Sequence, residues 1–394
     1  METGSDTIPV TILSGSLGAG KTTLLNHLLA EADRRIAVLV NDMGAVNVDA
    51  ERIAEGSELD VDDGVAELSN GCICCELQDD LETAVVRLAR DRSFDHLVVE
   101  ASGISEPAPI ARLFTTESRV AARYDVECLV CVLDTPYFLE TFSGGDVERR
   151  GEAGDRPLSD LLIEQVETAN VVLLNKADRC SEAELGRAAE LVSGLQPDAE
   201  TVPTTFSAVD SSRVLETGAF DRDRMRSLPT WRRLLEGEDD DTHGHGHAHP
   251  DEVYGVSSFL YRRQRPFHPK GVAAALRALP PSIVRAKGTV WVAGSDLRLS
   301  VSVAGPSVRA TAQGPWIDSL PDVERDMYRS NRPELPWHDD HGDRRVEVVF
   351  IGTDYAREEI ETALDDALVA PDADVDGTEG PFPDEVGAET VLRE

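Results

Sequence analysis

The run Gly15-Ser16-Leu17-Gly18-Ala19-Gly20-Lys21-Thr22 satisfies the Gly-x-x-x-x-Gly-Lys-[Ser/Thr] pattern at every fixed position. Gly15, Gly18 and Gly20 let a backbone curl round phosphates with its N–H groups pointing inward, and Ala19 keeps the wall small. Lys21 is placed to reach the terminal phosphates and Thr22 to offer a hydroxyl to Mg2+. Thr23 follows on the first turn of a helix whose positive end faces the anion. Further along, Asn175-Lys176-Ala177-Asp178 follows the apolar residues 171–174. A carboxylate at Asp178 can accept from both the N1–H and the exocyclic amine of guanine, a donor pair that adenine lacks. Asn175, Lys176 and Asp178 therefore predict GTP as the nucleotide. Between these motifs, His96-Leu97-Val98-Val99-Glu100 reads as a strand running into Ala101-Ser102-Gly103. Glu100 stands where signalling GTPases carry an Asp that orients Mg2+, and the Gly103 N–H is placed to sense the γ-phosphate. The residue after Gly103 is Ile104, not a water-orienting Gln, so hydrolysis of GTP to GDP and phosphate is expected to be slow.

A second kind of chemistry sits at Gly71-Cys72-Ile73-Cys74-Cys75, which holds three of the six cysteines. Three thiolates this close make a soft site, and three ligands leave a fourth tetrahedral position open for handing a metal on. Zn2+, Co2+, Cu(I) and Fe all bind such donors, so the ligands alone leave the metal open. A redox or structural cluster is the alternative reading. Cys128 and Cys131 fall in a strand pattern on opposite faces and read as small core residues, and Cys180 as structural. His243, His245, His247 and His249 alternate with small residues and form a weak auxiliary metal tether, or a solvated linker with no binding role.

These residues need a scaffold that gathers them. Apolar runs at 8–14, 36–40, 97–100, 126–133 and 170–174 alternate with helical patterns such as 79–90 and 159–168. That alternation predicts an α/β domain with a mainly parallel sheet over 8–235. Residues 236–252 lack large apolar side chains and read as an acidic, His-rich linker. Strand patterns at 254–261, 289–304 and 345–351, with helical patterns at 269–278 and 355–368, predict a smaller α+β domain over 253–370. Residues 371–394 read as a mobile acidic tail.

The chain has 394 residues and a formal net charge of −36, with 38 Lys+Arg against 74 Asp+Glu. Only four of the cations are lysines, Lys21, Lys176, Lys270 and Lys287. Such a surface repels itself in dilute buffer and is screened at molar salt, where the Debye length falls to about 3 Å, so a high-salt cytoplasm is the expected setting. Non-specific nucleic-acid binding is excluded by the same repulsion. No run of 18 apolar residues is present and residues 1–9 show no secretory pattern, so neither membrane nor export is expected.

In order along the chain, Gly15–Thr22, Asn41-Asp42-Met43-Gly44, Gly71–Cys75, Glu100–Gly103 and Asn175–Asp178 resemble the CobW-like metallochaperone GTPases. Arg285-Ala286-Lys287-Gly288 with Trp291, and Gly342-Asp343-Arg344-Arg345 through Gly352, are similar to that family's C-terminal segments. The loop Asn41-Asp42-Met43-Gly44-Ala45 departs from the family's Asn-Glu-Phe-Gly-Glu, with one carboxylate shortened and one lost. The resemblance implies a SIMIBI-type P-loop GTPase domain, a CobW-type C-terminal domain, and GTP-dependent delivery of a transition metal to a client metalloprotein. Zinc is the leading cargo, with cobalt for cobalamin synthesis and service to nitrile hydratase as alternatives, and a metal-dependent homo-oligomer is one expected form. A regulatory GTPase with a structural or redox cysteine cluster remains the rival, as does a metal-storage protein with a vestigial nucleotide site.

Overall fold

In the computed structural model of the chain, the described residues are 7–31, 34–42, 65–69, 85–86, 88, 93–115, 120–142, 158–220, 256–331, 337–370 and 380–393. The chain divides into two units, Met1–Leu139 with Leu161–Pro229, and Glu140–Asp160 with Thr230–Glu394.

The first unit is built on β1 (Ile8–Ser14), α1 (Lys21–Glu31), β2 (Ile36–Asp42), β3 (Val65–Ser69), β4 (His96–Glu100), α2 (Pro107–Thr115) and β5 (Tyr124–Asp134). Helices α3 (Thr135–Phe142) and α4 (Leu158–Glu167) come next in the chain. The unit then continues through β6 (Val171–Asn175), α5 (Glu182–Leu195), β7 (Glu200–Pro203) and α6 (Ser212–Leu215). Seven strands form one sheet in the order β3-β2-β4-β1-β5-β6-β7, and every pairing is parallel. The strands read as unbroken apolar runs because both faces are covered. Leu13, Val98, Val130 and Leu173 pack with Leu24, Leu25 and Leu28 of α1 on one side. Val10, Ile12, Leu97 and Val99 pack with Ile110 and Phe114 of α2 on the other. Of the helical pattern expected over 79–90, only Val85, Val86 and Leu88 lie among the described residues, and they are helical.

The second unit carries an antiparallel sheet of β8 (Val256–Arg263), β9 (Ile283–Val290), β10 (Leu297–Ala304), β11 (Ser307–Pro315), β12 (Val346–Thr353) and β13 (Glu389–Arg393). The order is β13-β11-β10-β9-β12-β8. Here alternation is visible: Leu299, Val301 and Val303 enter the core, while Ser300 and Ser302 between them do not. Helices α7 (Pro269–Arg277) and α9 (Arg357–Asp366) supply Val272, Leu276, Ile360 and Leu364 to that core. Helix α8 (Asp322–Asn331) buries none of its residues.

Two expectations change. The strand expected over 289–304 is two strands, because Gly294 at φ +78° turns the chain between β9 and β10. The stretch read as a mobile acidic tail ends in β13, which pairs with β11. Leu392 is buried, and the Arg393 guanidinium donates to the carbonyls of Pro306, Arg277, Leu279 and Gly305. Those contacts outweigh the acidic composition that suggested mobility. The linker 236–252 lies outside the described residues.

Candidate functional site

A parallel sheet delivers the carboxyl ends of its strands to one edge, where ligands bind in such folds. At that edge, Ser14 ends β1 and leads into the turn before α1, Glu100 ends β4 and Asn175 ends β6. The turn holds Gly15, Gly18, Ala19 and Gly20, and Lys21, Thr22 and Thr23 open α1. Lys21 is buried, and its Nζ donates to the carbonyls of Gly15 at 2.9 Å and Ser16 at 3.2 Å. The ammonium is thus held at the mouth of the loop.

Thr22 Oγ1 donates to Glu100 Oε1 at 3.2 Å, so the two residues singled out for Mg2+ meet across 78 positions of sequence. Glu100 is buried at the strand end. A hydroxyl beside a carboxylate is a hard oxygen pair, the donor chemistry that suits Mg2+. Gly103 backs onto the same loop: a Cβ there would lie 2.6 Å from the Leu17 nitrogen. Only glycine permits that approach. Ile104 is 46% exposed and brings no polar side-chain atom to this edge.

Asn175 ties the guanine motif to the phosphate loop. Its Nδ2 donates to the Ala19 carbonyl at 2.7 Å, and its Oδ1 accepts from Ser207 N at 2.8 Å and Thr204 Oγ1 at 3.2 Å. Gly20 is packed into this junction at φ +114°, and a Cβ would stand 2.5 Å from Asn175 Nδ2. Lys176 adopts φ +60° and forms a 2.5 Å ion pair with Asp134 at the end of β5. Asp178 lies on the short 3-10 turn Ala177–Arg179.

Asp134, Thr204, Phe206 and Ser207 were missed by motif reading. The signal was topological: each follows or ends a parallel strand at the ligand-binding edge, which only the strand order reveals. Cys128 and Cys131 are fully buried in β5, and burial pushes both thiols up to about 12, as inert core cysteines require. Asn41 and Asp42 end β2 beside Leu68 and Ser69 of β3. Cys72, Cys74 and Cys75, and His243, His245, His247 and His249, lie outside the described residues. Among the described residues, no group of three His, Cys, Asp or Glu side chains is arranged to hold a metal ion. No helix among them is long and apolar enough to cross a membrane.

Comparison with known proteins places this arrangement. The family model described as CobW/HypB/UreG, nucleotide-binding domain, matches residues 9–203, and that of the cobalamin synthesis protein cobW C-terminal domain matches 256–368. The chain is 35% identical to the zinc-regulated GTPase metalloprotein activator 1 of Dictyostelium discoideum over 93% of this chain and 81% of that protein. It is 28% identical to the zinc chaperone YjiA of Escherichia coli over 80% of this chain and 91% of that one. The crystal structure of Zn(II)-bound YjiA GTPase matches with a TM-score of 0.41 at 24% identity, covering 92% of this chain and 99% of that one. The two domain models and the Dictyostelium relative make this chain a member of the CobW family of P-loop GTPases.

Proposed function

We propose that this GTPase is a zinc chaperone: it holds zinc at Cys72, Cys74 and Cys75 and releases it to a client metalloprotein under control of bound GTP. One observation carries the reading. Strands β2 and β3 end side by side, Asp42 opposite Ser69, at the same sheet edge as Ser14 and Glu100. The cysteine motif follows β3 in the chain and precedes β4, which carries Glu100. Both flanks of the thiolate segment are therefore strands of the sheet that builds the nucleotide site. The names of the relatives, a zinc chaperone and a zinc-regulated metalloprotein activator, agree with zinc as cargo.

In this reading Gly15 to Thr23 wrap the phosphates, and Asn175, Lys176 and Asp178 hold guanine. Thr22 and Glu100 would hold Mg2+, which would neutralise charge on the phosphates. Gly103, backed onto Leu17, is placed to feel the γ-phosphate, and that contact would reorder the segment between Asn41 and Cys75 that carries the thiolates. A chain that differs between GTP and GDP states gives the thiolates two environments. Ile104 offers nothing to orient water, so turnover is slow and the GTP state is long-lived. His243, His245, His247 and His249 serve as a weak collecting tether.

The coupling is tested by anaerobic zinc titration at high salt with a non-hydrolysable GTP analogue and with GDP. Zinc affinity differs between the two states, and by linkage zinc shifts the ratio of GTP to GDP affinity by the same factor. Equal zinc affinity in both states sinks the coupling. Replacing Cys72, Cys74 and Cys75 together by Ser removes the tight site; unchanged stoichiometry and affinity rejects their assignment.

A further inference from the structure

The loop after β7 contains a side chain that the description above has left without a task. Phe206 is 74% exposed, among the most exposed of the large apolar side chains described. Its backbone is left-handed at φ +52°, and Ser207 follows at φ +55°. Two consecutive non-glycine residues in that region are unfavourable, and such strain persists only where surrounding contacts over-determine it.

Here they do. The Phe206 carbonyl lies 3.0 Å from His27 Nε2 on α1. Ser207 N donates to Asn175 Oδ1 at 2.8 Å, and Ser207 Oγ donates to the Gly20 carbonyl at 3.0 Å. Further along the loop, Ala208 N donates to the Thr205 carbonyl at 3.1 Å. Just before Phe206, Thr204 accepts from Ala177 N, the residue between Lys176 and Asp178. Every one of these tethers except the Thr205 turn runs to the phosphate loop, to the first helix, or to the Asn-Lys-x-Asp turn. The backbone of the loop is clamped to the phosphate-loop, first-helix and Asn-Lys-x-Asp elements, and the Phe206 side chain it carries is exposed to solvent. A flat π-surface of this kind is what a purine face packs against, and stacking of that type is tolerant of base identity.

We propose that Phe206 forms one wall of the guanine pocket, its ring stacking on the face of the base whose edge Asp178 reads. The inference rests on the guanine reading of Asn175–Asp178. It divides the labour: Asp178 selects guanine by hydrogen bonds, and Phe206 adds affinity without selecting. It also gives His27 a positioning role, since its ring fixes the strained carbonyl.

Calorimetric titration of GDP and of a GTP analogue, with Mg2+ and without zinc at high salt, tests it. F206A weakens both nucleotides about tenfold, the size of one lost base–aromatic contact. F206Y stays within about twofold of the parent, because the π-face is kept. F206G relieves the left-handed strain and does not lower the unfolding temperature, yet loses the same factor as F206A. The preference for GDP over ADP is unchanged in F206A and is lost in D178A. Affinities within about twofold of the parent for both F206A and F206G would overturn the wall while leaving the base site standing. Guanine preference surviving in D178A would instead remove the base site itself, and the wall with it.

Discussion

At the scale of single residues, the sheet holds one buried histidine with a measurable cost. His96 is fully buried at the start of β4. Thr11 Oγ1 donates to the Val214 carbonyl, so it accepts from His96 Nε2 at 2.9 Å. Burial, with Arg34 adding repulsion, pushes the imidazole down to about 4 from its ordinary 6.5. The neutral form is the folded form. Its stabilisation is therefore complete above about pH 6.5, where the unfolded chain is also neutral, and is lost as pH falls towards 4. The full shift corresponds to about 3 kcal/mol. Denaturant unfolding of the parent and H96Q between pH 7 and 4 checks this. The variant loses about one proton's worth of slope in that window, and identical slopes in the two proteins would contradict it.

At the scale of elements, the same substitution has opposite signs at two glycines. Gly20 joins the phosphate loop to α1 at φ +114°, with Asn175 and Ser207 pressed against the position of a Cβ. G20A is expected to cost about 3 kcal/mol, because both neighbours are fixed by their own hydrogen bonds. Gly186 sits on the exposed face of α5, where a Cβ would meet nothing within 4 Å. That helix is already capped by Ser181 and Glu184, which bond each other's backbone nitrogens. G186A is expected to stabilise by about 0.5–1 kcal/mol, since it only removes glycine's excess freedom in the unfolded chain. Thermal unfolding monitored by circular dichroism separates the two: one midpoint falls, the other rises. A fall in both would mean that α5 is packed where it is described as open.

At the scale of the whole molecule, the charge governs. The net charge of −36 is spread over both units, and most described ion pairs are arginine–carboxylate contacts with at least one exposed partner, such as Arg35–Asp95 and Arg263–Asp365. Exposed pairs of that kind contribute little, so they cannot offset the repulsion. Screening can, and the folded chain is expected to become more stable as KCl rises from 0.1 M towards molar concentrations. A scan of unfolding temperature against KCl shows this as a rising midpoint, and a flat or falling midpoint would rule out adaptation to high salt. Every binding test above belongs in the high-salt regime for the same reason.

The sequence alone determined the motifs whose chemistry is local. Gly15–Thr22 and Asn175–Asp178 are legible as motifs because the phosphate and guanine recognition proposed for them would each need a fixed run of neighbouring residues. The parallel sheet was equally legible, since burial on both faces writes unbroken apolar runs into strands such as 97–100 and 170–174. What the sequence hid was pairing over distance. Thr22 with Glu100, Lys176 with Asp134, and Ser207 with Gly20 join residues far apart in the chain, and nothing in their local pattern announces the partner. The strand at 389–393 was hidden likewise, because its acidic surroundings look mobile until β11 offers it a ladder. Only the tertiary structure decides such contacts: they exist because strand order brings chosen carboxyl ends to one edge, and order is a property of the assembled sheet.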